Sequence, residues 1–279
     1  MKNITLGYSP CPNDTFIFYA LTHNKIKTGK LSFNEVLLDV ETLNQKALKA
    51  DLDVTKISYA AFGHLRKDYS LLRSGGALGR GCGPLVVSKQ DFEMQDLRDK
   101  KVAVPGNLTT AYLLLQLYDN TFSSSPIIPM PFHEIMGAVA DEKVDAGVII
   151  HESRFTYQSH GLREIIDLGD WWEKETGLPI PLGGIIARRS LGDGLIKQID
   201  ESIKQSILYA FDNRKSPVDY IKQHSQELSI DVINQHIDLY VNDFSVDLGA
   251  DGEDAVRELI SRAEEAGVIA ASDIPLFSS

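Results

Sequence analysis

The chain has 279 residues, of which 43% are hydrophobic and 24% charged, with a formal net charge of −11. These are ordinary globular proportions that exclude disordered and collagen-like classes, and a chain this long holds a core without disulfides or metals. The acidic balance, with no basic stripe against it, excludes a nucleic-acid partner.

Residues 4–8 read as a short strand, and Ser9-Pro10-Cys11-Pro12-Asn13-Asp14 as a loop that its prolines keep out of any element. Asp14 or Thr15 then caps a helix through residues 16–21. A strand over 31–40, a helix over 41–49 and a strand over 53–58 follow. This βαβ alternation predicts a mainly parallel sheet covered by helices on both faces. A second unit opens near Pro84, with strands over 85–87 and 101–104, the latter ending at Pro105-Gly106, and an apolar helix over 109–118. A strand over 127–132, a helix over 133–141 and a strand over 146–150 complete it, and residues 183–187 form a strand returning to the first unit. From Leu191 the chain turns helical: Ile196, Ile199, Ile203, Ile207, Leu208 and Phe211 recur at helical spacing, as do Val256, Leu259 and Ile260. The layout is an α/β fold of two lobes, 1–87 with 188–279 and 88–187, joined by crossing segments near 83–88 and 183–188. A central cleft between such lobes is the place to look for a ligand.

The first residues contain neither the charged and apolar regions nor the cleavage site of a secretory leader. No apolar run approaches the ~18–20 residues of a membrane span. A cytoplasmic location is expected, with Cys11 and Cys82 reduced. The sequence leaves the oligomeric state open.

HExxH, CxxC and the G-x-x-x-x-G-K-[ST] phosphate loop are all absent from the sequence, so no metal and no cofactor are expected. The glycine-rich residues 75–84 lead into a strand rather than a helix, which suits a hinge beside the cleft better than a phosphate cradle. Four strand-end segments carry the candidate chemistry. Ser9 to Thr15 is a proline-stiffened turn with a cap, or a set of loop amides facing an anion. Lys56 stands in a strand that otherwise runs into the core, followed by Ile57 and Ser58, and is either a solvent-facing strand-end lysine or a cleft group. Residues 106–110 cap a helix through Asn107 or Thr109, or offer amides and hydroxyls to a carboxylate. His151 follows an apolar strand at its carboxyl end, where an imidazole serves as general base or as a hydrogen-bonded structural group. His23, His64, His133, His224 and His236 fall in helix-like stretches and His160 in a loop, and they are less telling. Trp171-Trp172, before a helix of charged residues, reads as packing.

Taken in order, Ser9-Pro10-Cys11-Pro12-Asn13-Asp14-Thr15-Phe16, Lys56-Ile57-Ser58-Tyr59-Ala60, Leu78-Gly79-Arg80-Gly81-Cys82-Gly83-Pro84-Leu85 and Ile150-His151-Glu152-Ser153-Arg154-Phe155-Thr156-Tyr157 resemble the 1,4-dihydroxy-6-naphthoate synthases of the futalosine route of menaquinone biosynthesis. The resemblance implies a bilobed type II periplasmic-binding-protein-like fold. It also implies a carbon–carbon lyase that converts cyclic dehypoxanthinyl futalosine to 1,4-dihydroxy-6-naphthoate and dihydroxyacetone. By position in the motifs, His151 corresponds to the family's proton acceptor, and Lys56, Ile57, Ser58, Thr109 and Thr110 to its substrate-binding stretches. The substrate carboxylate is expected on helix-start amides near Thr109 and Thr110, and ribose-derived hydroxyls near Ser9, Asn13 or Ser58. Arg154 either binds that carboxylate or pairs with a neighbouring acid on the surface. Two other functions share the fold. One is a non-catalytic solute-binding protein for a small anion, against which the missing leader counts. The other is chorismate dehydratase, whose motifs differ from residues 9–16 and 150–157.

Overall fold

The computed structural model describes residues 2–225 and 229–278. The first sheet grows from β1 (Lys2–Tyr8), α1 (Pro12–Thr22), β2 (Leu31–Leu37), α2 (Val40–Leu48), β3 (Val54–Ser58), α3 (Tyr59–Phe62), β4 (Tyr69–Leu71) and β5 (Ala77–Gly79). The second grows from β6 (Leu85–Ser88), β7 (Val102–Val104), α4 (Thr110–Tyr118), β8 (Ile127–Pro129), α5 (Phe132–Ala140), β9 (Ala146–Ile149), α6 (Ser153–Thr156) and β10 (Arg163–Asp167). After α7 (Leu168–Thr176), β11 (Ile180–Arg188) re-enters the first sheet. Then α8 (Asp193–Asp212), α9 (Val218–His224), α10 (Ile230–Tyr240), α11 (Asp243–Val246) and α12 (Gly249–Glu265) follow. The helical reading after Leu191 also crosses residues 226–228, which lie outside the described residues.

The strand orders are β2-β1-β3-β11-β4, with β5 also on β11, and β10-β6-β9-β7-β8. Pairings of β1 with β2 and β3, and of β7 with β8 and β9, are parallel as the alternation predicts. Both sheets are nevertheless mixed, because β11 runs antiparallel to β3, β4 and β5, and β6 antiparallel to β9 and β10. A strand that enters from the other lobe is not bound by the direction that a βαβ crossover imposes. Leu85–Ser88 belongs to the second sheet and Ile180–Arg188 to the first, so the chain changes sheets at 80–84 and 168–179. Strands β4, β5 and β10 were not expected; the first two are three residues long, too short for an alternation to register.

Helix α1 starts at Pro12, four residues before the expected run over 16–21, with Cys11 as a cap residue that makes no side-chain bond. Proline suits that first turn because the amide it lacks would be unpaired anyway. Neither Asp14 nor Thr15 caps it: Asp14 accepts from the Ser9 amide and hydroxyl, and Thr15 Oγ1 donates back to the Cys11 carbonyl at 2.9 Å. The helix is buried on nearly every face, since β1, α8, α9 and α10 surround it. Trp171 and Trp172 lie inside α7, and Trp172 is fully buried, with Nε1 donating to the Pro179 carbonyl at 3.1 Å. One hydrophobic core takes Ile57 and Tyr59 from the first sheet's side together with Val86, Val104 and Leu114 from the second's, so the two lobes share packing.

The glycine-rich stretch is tied down rather than free. Arg80 pairs with Glu173, the Gly81 amide donates to Glu173 at 2.8 Å, and Gly83 lies so close to Gly169 that a Cβ there would sit 2.3 Å from its Cα. The close approach of two backbones at the crossing requires glycine on both sides.

Candidate active site

The carboxyl ends of β3 and β9, the loop after β1 and the start of α4 converge on an open cavity of about 650 Å³. Its walls are largely apolar, from Val40, Ala77, Ala111, Ile150 and Leu182. Polar groups enter at a few points, as ligand pockets require. Ser9, Asn13, Lys56, Ile57, Ser58, Thr109, Thr110 and His151, all read from the sequence, lie on this lining. Arg154 does not. Its guanidinium donates to the Gly83 carbonyl and to Asp167 Oδ2, both at 2.6 Å, and both carboxylate and guanidinium are largely buried. Arg154 therefore fastens the crossing at Gly83, and the acid it pairs with lies inside rather than on the surface.

Lys56 is buried because every residue of β3 is covered. A buried ammonium needs partners, and it has Asp14 Oδ1 at 3.3 Å and the Gly75 carbonyl at 2.8 Å. An ammonium carries three N–H groups, which leaves one for a ligand oxygen in the cavity. Asn44 holds Ser58, donating to its hydroxyl at 3.2 Å and accepting from its amide at 2.9 Å. Thr109 caps α4, accepting from the Tyr112 amide. Thr110 accepts from the Ala60 amide at 3.2 Å and donates to the Leu182 carbonyl at 2.6 Å. With both hydroxyls engaged, what the helix start offers an anion is the amides of Thr110 and Ala111, which have no acceptor within the helix.

His151 stands just beyond β9 with φ of 58°, a left-handed backbone that costs a non-glycine residue about 1–2 kcal/mol. That turn sets its ring between Phe132 at 4.9 Å and His236 at 5.9 Å between ring centres, the two imidazoles only 14° from parallel. Burial lowers the His151 pKa from the usual imidazole value; Lys56 adds to this, while Glu152 and Asp14 oppose it. The ring is thus neutral at neutral pH and able to take a proton. A second cavity of about 680 Å³ lies on its other side, bounded by Cys11, Leu37, Leu38, Asp39, Phe132 and His133. Ser9, Val40 and His151 form the wall that both cavities share.

Sequence reasoning missed Asp14 as a counter-ion, and it missed His236, Glu152 and Tyr240. His236 Nε2 lies 3.0 Å from Asn13 Oδ1. The Asn13 amide donates in turn to Asp14 Oδ1 at 2.9 Å, so a chain of contacts runs from Lys56 through Asp14 and Asn13 to His236. Tyr240, one turn further along α10, lines the cavity and packs its ring 4.7 Å from that of His236. The available signal was a histidine on the apolar stripe of Ile233, Ile237 and Tyr240, where an imidazole needs a buried partner.

Cys11, His151 and Glu152 each offer one ligand atom within 4.8 Å of the others, a spacing that a metal ion can bridge. The thiol argues against that use. Burial, with Glu152 nearby, pushes the Cys11 pKa well up, whereas a metal binds the thiolate. Burial likewise raises Cys82 to about 12. Neither cysteine is an activated nucleophile.

A family model described as menaquinone biosynthesis matches residues 4–265. A 1,4-dihydroxy-6-naphthoate synthase of Thermus thermophilus is 51% identical over 277 residues, covering 99% of this chain and all of that one. One of Streptomyces coelicolor is 47% identical over 271 residues, covering 96% and 95%. Among solved structures, a protein of Archaeoglobus fulgidus superposes with a TM-score of 0.89 at 37% identity, covering 96% of this chain and 98% of that one. The periplasmic aliphatic sulphonate binding protein of Escherichia coli superposes with a TM-score of 0.67 at 12% identity, covering 99% and 91%. That last likeness speaks for the fold alone, a periplasmic-binding-protein-like one.

Proposed function

The chain belongs to the menaquinone-biosynthesis family and is a lyase of the 1,4-dihydroxy-6-naphthoate synthase kind, and within that activity we propose that its cleft takes cyclic dehypoxanthinyl futalosine, with His151 as the general base. The observation that carries this reading is the place of His151: a neutral imidazole on the wall shared by the apolar cavity and a second one.

The ring system that becomes the naphthoate sits in the apolar cavity, its carboxylate on the Thr110 and Ala111 amides. Lys56 donates its remaining N–H to a substrate oxygen, and Ser9, Asn13 and Ser58 face the ribose-derived hydroxyls. The three-carbon part extends past His151 toward the second cavity. Removing a proton next to a carbonyl starts an elimination, the carbon–carbon bond breaks to release dihydroxyacetone, and formation of the aromatic ring drives the sequence forward. A positioned base contributes about 10²–10⁴-fold to such a step, and holding the substrate between two walls adds orientation. Among the described residues no helix is long and apolar enough to cross a membrane. We place the enzyme in the cytoplasm, where its two thiols stay reduced.

The test is a mass-spectrometric assay of purified protein with cyclic dehypoxanthinyl futalosine beside His151→Ala. Dihydroxynaphthoate from wild type and its near absence with the variant are expected. Equal turnover by both removes His151 from the mechanism. Tight binding without product makes the protein a solute binder, and loss of water from chorismate makes it the dehydratase.

A further inference from the structure

Two buried polar atoms face each other behind the base without hydrogen-bond partners: Glu152 Oε2 and His236 Nδ1, 3.8 Å apart. Buried polar groups are nearly always paired, so two orphans in contact call for a reason. The tautomer of His236 follows from its neighbours. Lys56 fixes Asp14, Asp14 accepts from the Asn13 amide, and the Asn13 carbonyl oxygen is left facing Nε2. Nε2 therefore carries the hydrogen and Nδ1 a bare lone pair. Burial and the neighbouring His151 both hold His236 neutral. Glu152 is also within reach of His151, since one carboxylate oxygen lies within 4.8 Å of a ring nitrogen of that histidine.

We propose that Glu152 and His236 are positioning residues for His151: Glu152 is the counter-ion of the imidazolium that His151 becomes, and His236, locked as its Nε2–H tautomer, is the neutral ring that holds the His151 plane. The proposal rests on the reading of His151 as the base. In the step concerned, a substrate C–H bond breaks, the proton passes to a His151 ring nitrogen, and the electron pair stays on the substrate as an enolate. His236 stays neutral throughout, so one positive charge forms between the Glu152 carboxylate and an uncharged ring. The proton then returns to the leaving three-carbon fragment. Other charged or titratable groups around His151 are Asp14 and Cys11 at the start of α1, Lys56 from β3, Asp39 before α2 and His133 on α5. Of these Asp14 is already neutralised by Lys56, and Asp39 is exposed and accepts from the Thr42 amide and hydroxyl as the cap of α2, which leaves Glu152 as the buried carboxylate free to answer the new charge.

The experiment is a ¹⁵N titration of the imidazoles in the substrate-free protein, wild type beside Glu152→Gln. The glutamine amide can donate to His236 Nδ1, so this variant satisfies the orphan nitrogen and folds. In wild type His236 should show the Nε2–H form. In Glu152→Gln, His151 should titrate about one pH unit lower, the smallest shift typical of a neighbouring opposite charge. The acid limb of kcat should move with it, and kcat should fall about tenfold, the rate equivalent of one such unit, with KM nearly unchanged. An Nδ1–H form of His236, or a folded Glu152→Gln protein whose His151 titrates as in wild type, overturns the proposal. The tautomer is read on wild type alone and so decides even if the variant fails to fold. Failure of wild type to turn over the futalosine compound would instead overturn the function proposed for the site, and the titrations do not depend on it.

Discussion

Lys56 Nζ lies 3.3 Å from Asp14 Oδ1 with their side chains 6% and 2% exposed, an ion pair sealed inside the protein at the base of the cleft. It ties the end of β3 to the first turn of α1, and through Asn13 it reaches His236. Removing one partner strands the other charge. Lys56→Met and Asp14→Asn should each cost about 3–5 kcal/mol, and the double variant less than the sum. Urea denaturation of the three proteins measures this, and strict additivity would show that the pair is not coupled.

The activity should fall on the acid side below the ordinary imidazole range. Burial lowers the His151 pKa from 6.5, and the neutral form is the base, so turnover is retained at neutral pH and lost as pH drops through the lowered value. A kcat profile whose acid limb lies above 6.5 would contradict this.

Acid should also destabilise the fold itself, through His236. Its folded pKa is depressed well below 6.5 by burial, so the unfolded chain binds a proton that the folded chain refuses. Stability is full above about 6.5 and falls with decreasing pH by about 1.4 kcal/mol per unit until the folded pKa is reached. Melting temperatures of wild type and His236→Gln from pH 7 to pH 5 test it: the variant should show the shallower decline.

Arg154→Ala should act on stability before it acts on affinity. The guanidinium joins the Gly83 carbonyl to Asp167 and stays off the cavity lining. Its loss leaves a buried carboxylate unpaired at a cost of about 3–5 kcal/mol, while KM for the substrate holds. A variant with wild-type melting and a raised KM would place Arg154 on the substrate instead.

Gly83→Ala should be among the most disruptive small changes in the chain. The added methyl meets the backbone of Gly169 at 2.3 and 2.4 Å, and backbone cannot swing aside as a side chain can. Separation of the segment before β6 from the first turn of α7, read as a drop in melting temperature, is the expected result. Gly81→Ala two residues earlier meets nothing within 4 Å but has φ of 63°, so its cost is the smaller, backbone one.

Much of the fold was legible from hydrophobic periodicity. The apolar runs at β3, β7 and β9 and the helical stripes of α4, α8 and α12 are local signals, and they appear within a few residues of where the pattern puts them. Strand direction was not legible, since β6 and β11 look like any short apolar strand until their neighbours are known. The same division runs through the site. Lys56, Thr109, Thr110 and His151 stand at strand ends or a helix start, and an α/β sheet opens its cleft there, so chain order alone was enough to single them out. Asp14 had the look of a helix cap, and His236 of an ordinary position on α10. Asp14 meets Lys56 only where the start of α1 lies against β3, and His236 meets Asn13 and Glu152 only when the helices after β11 fold back across α1. Local sequence determines which backbone conformation a segment prefers and which face it buries. Which buried charge meets which, and which nitrogen keeps its proton, is an energy between groups far apart in the chain, and the packed tertiary structure alone decides it.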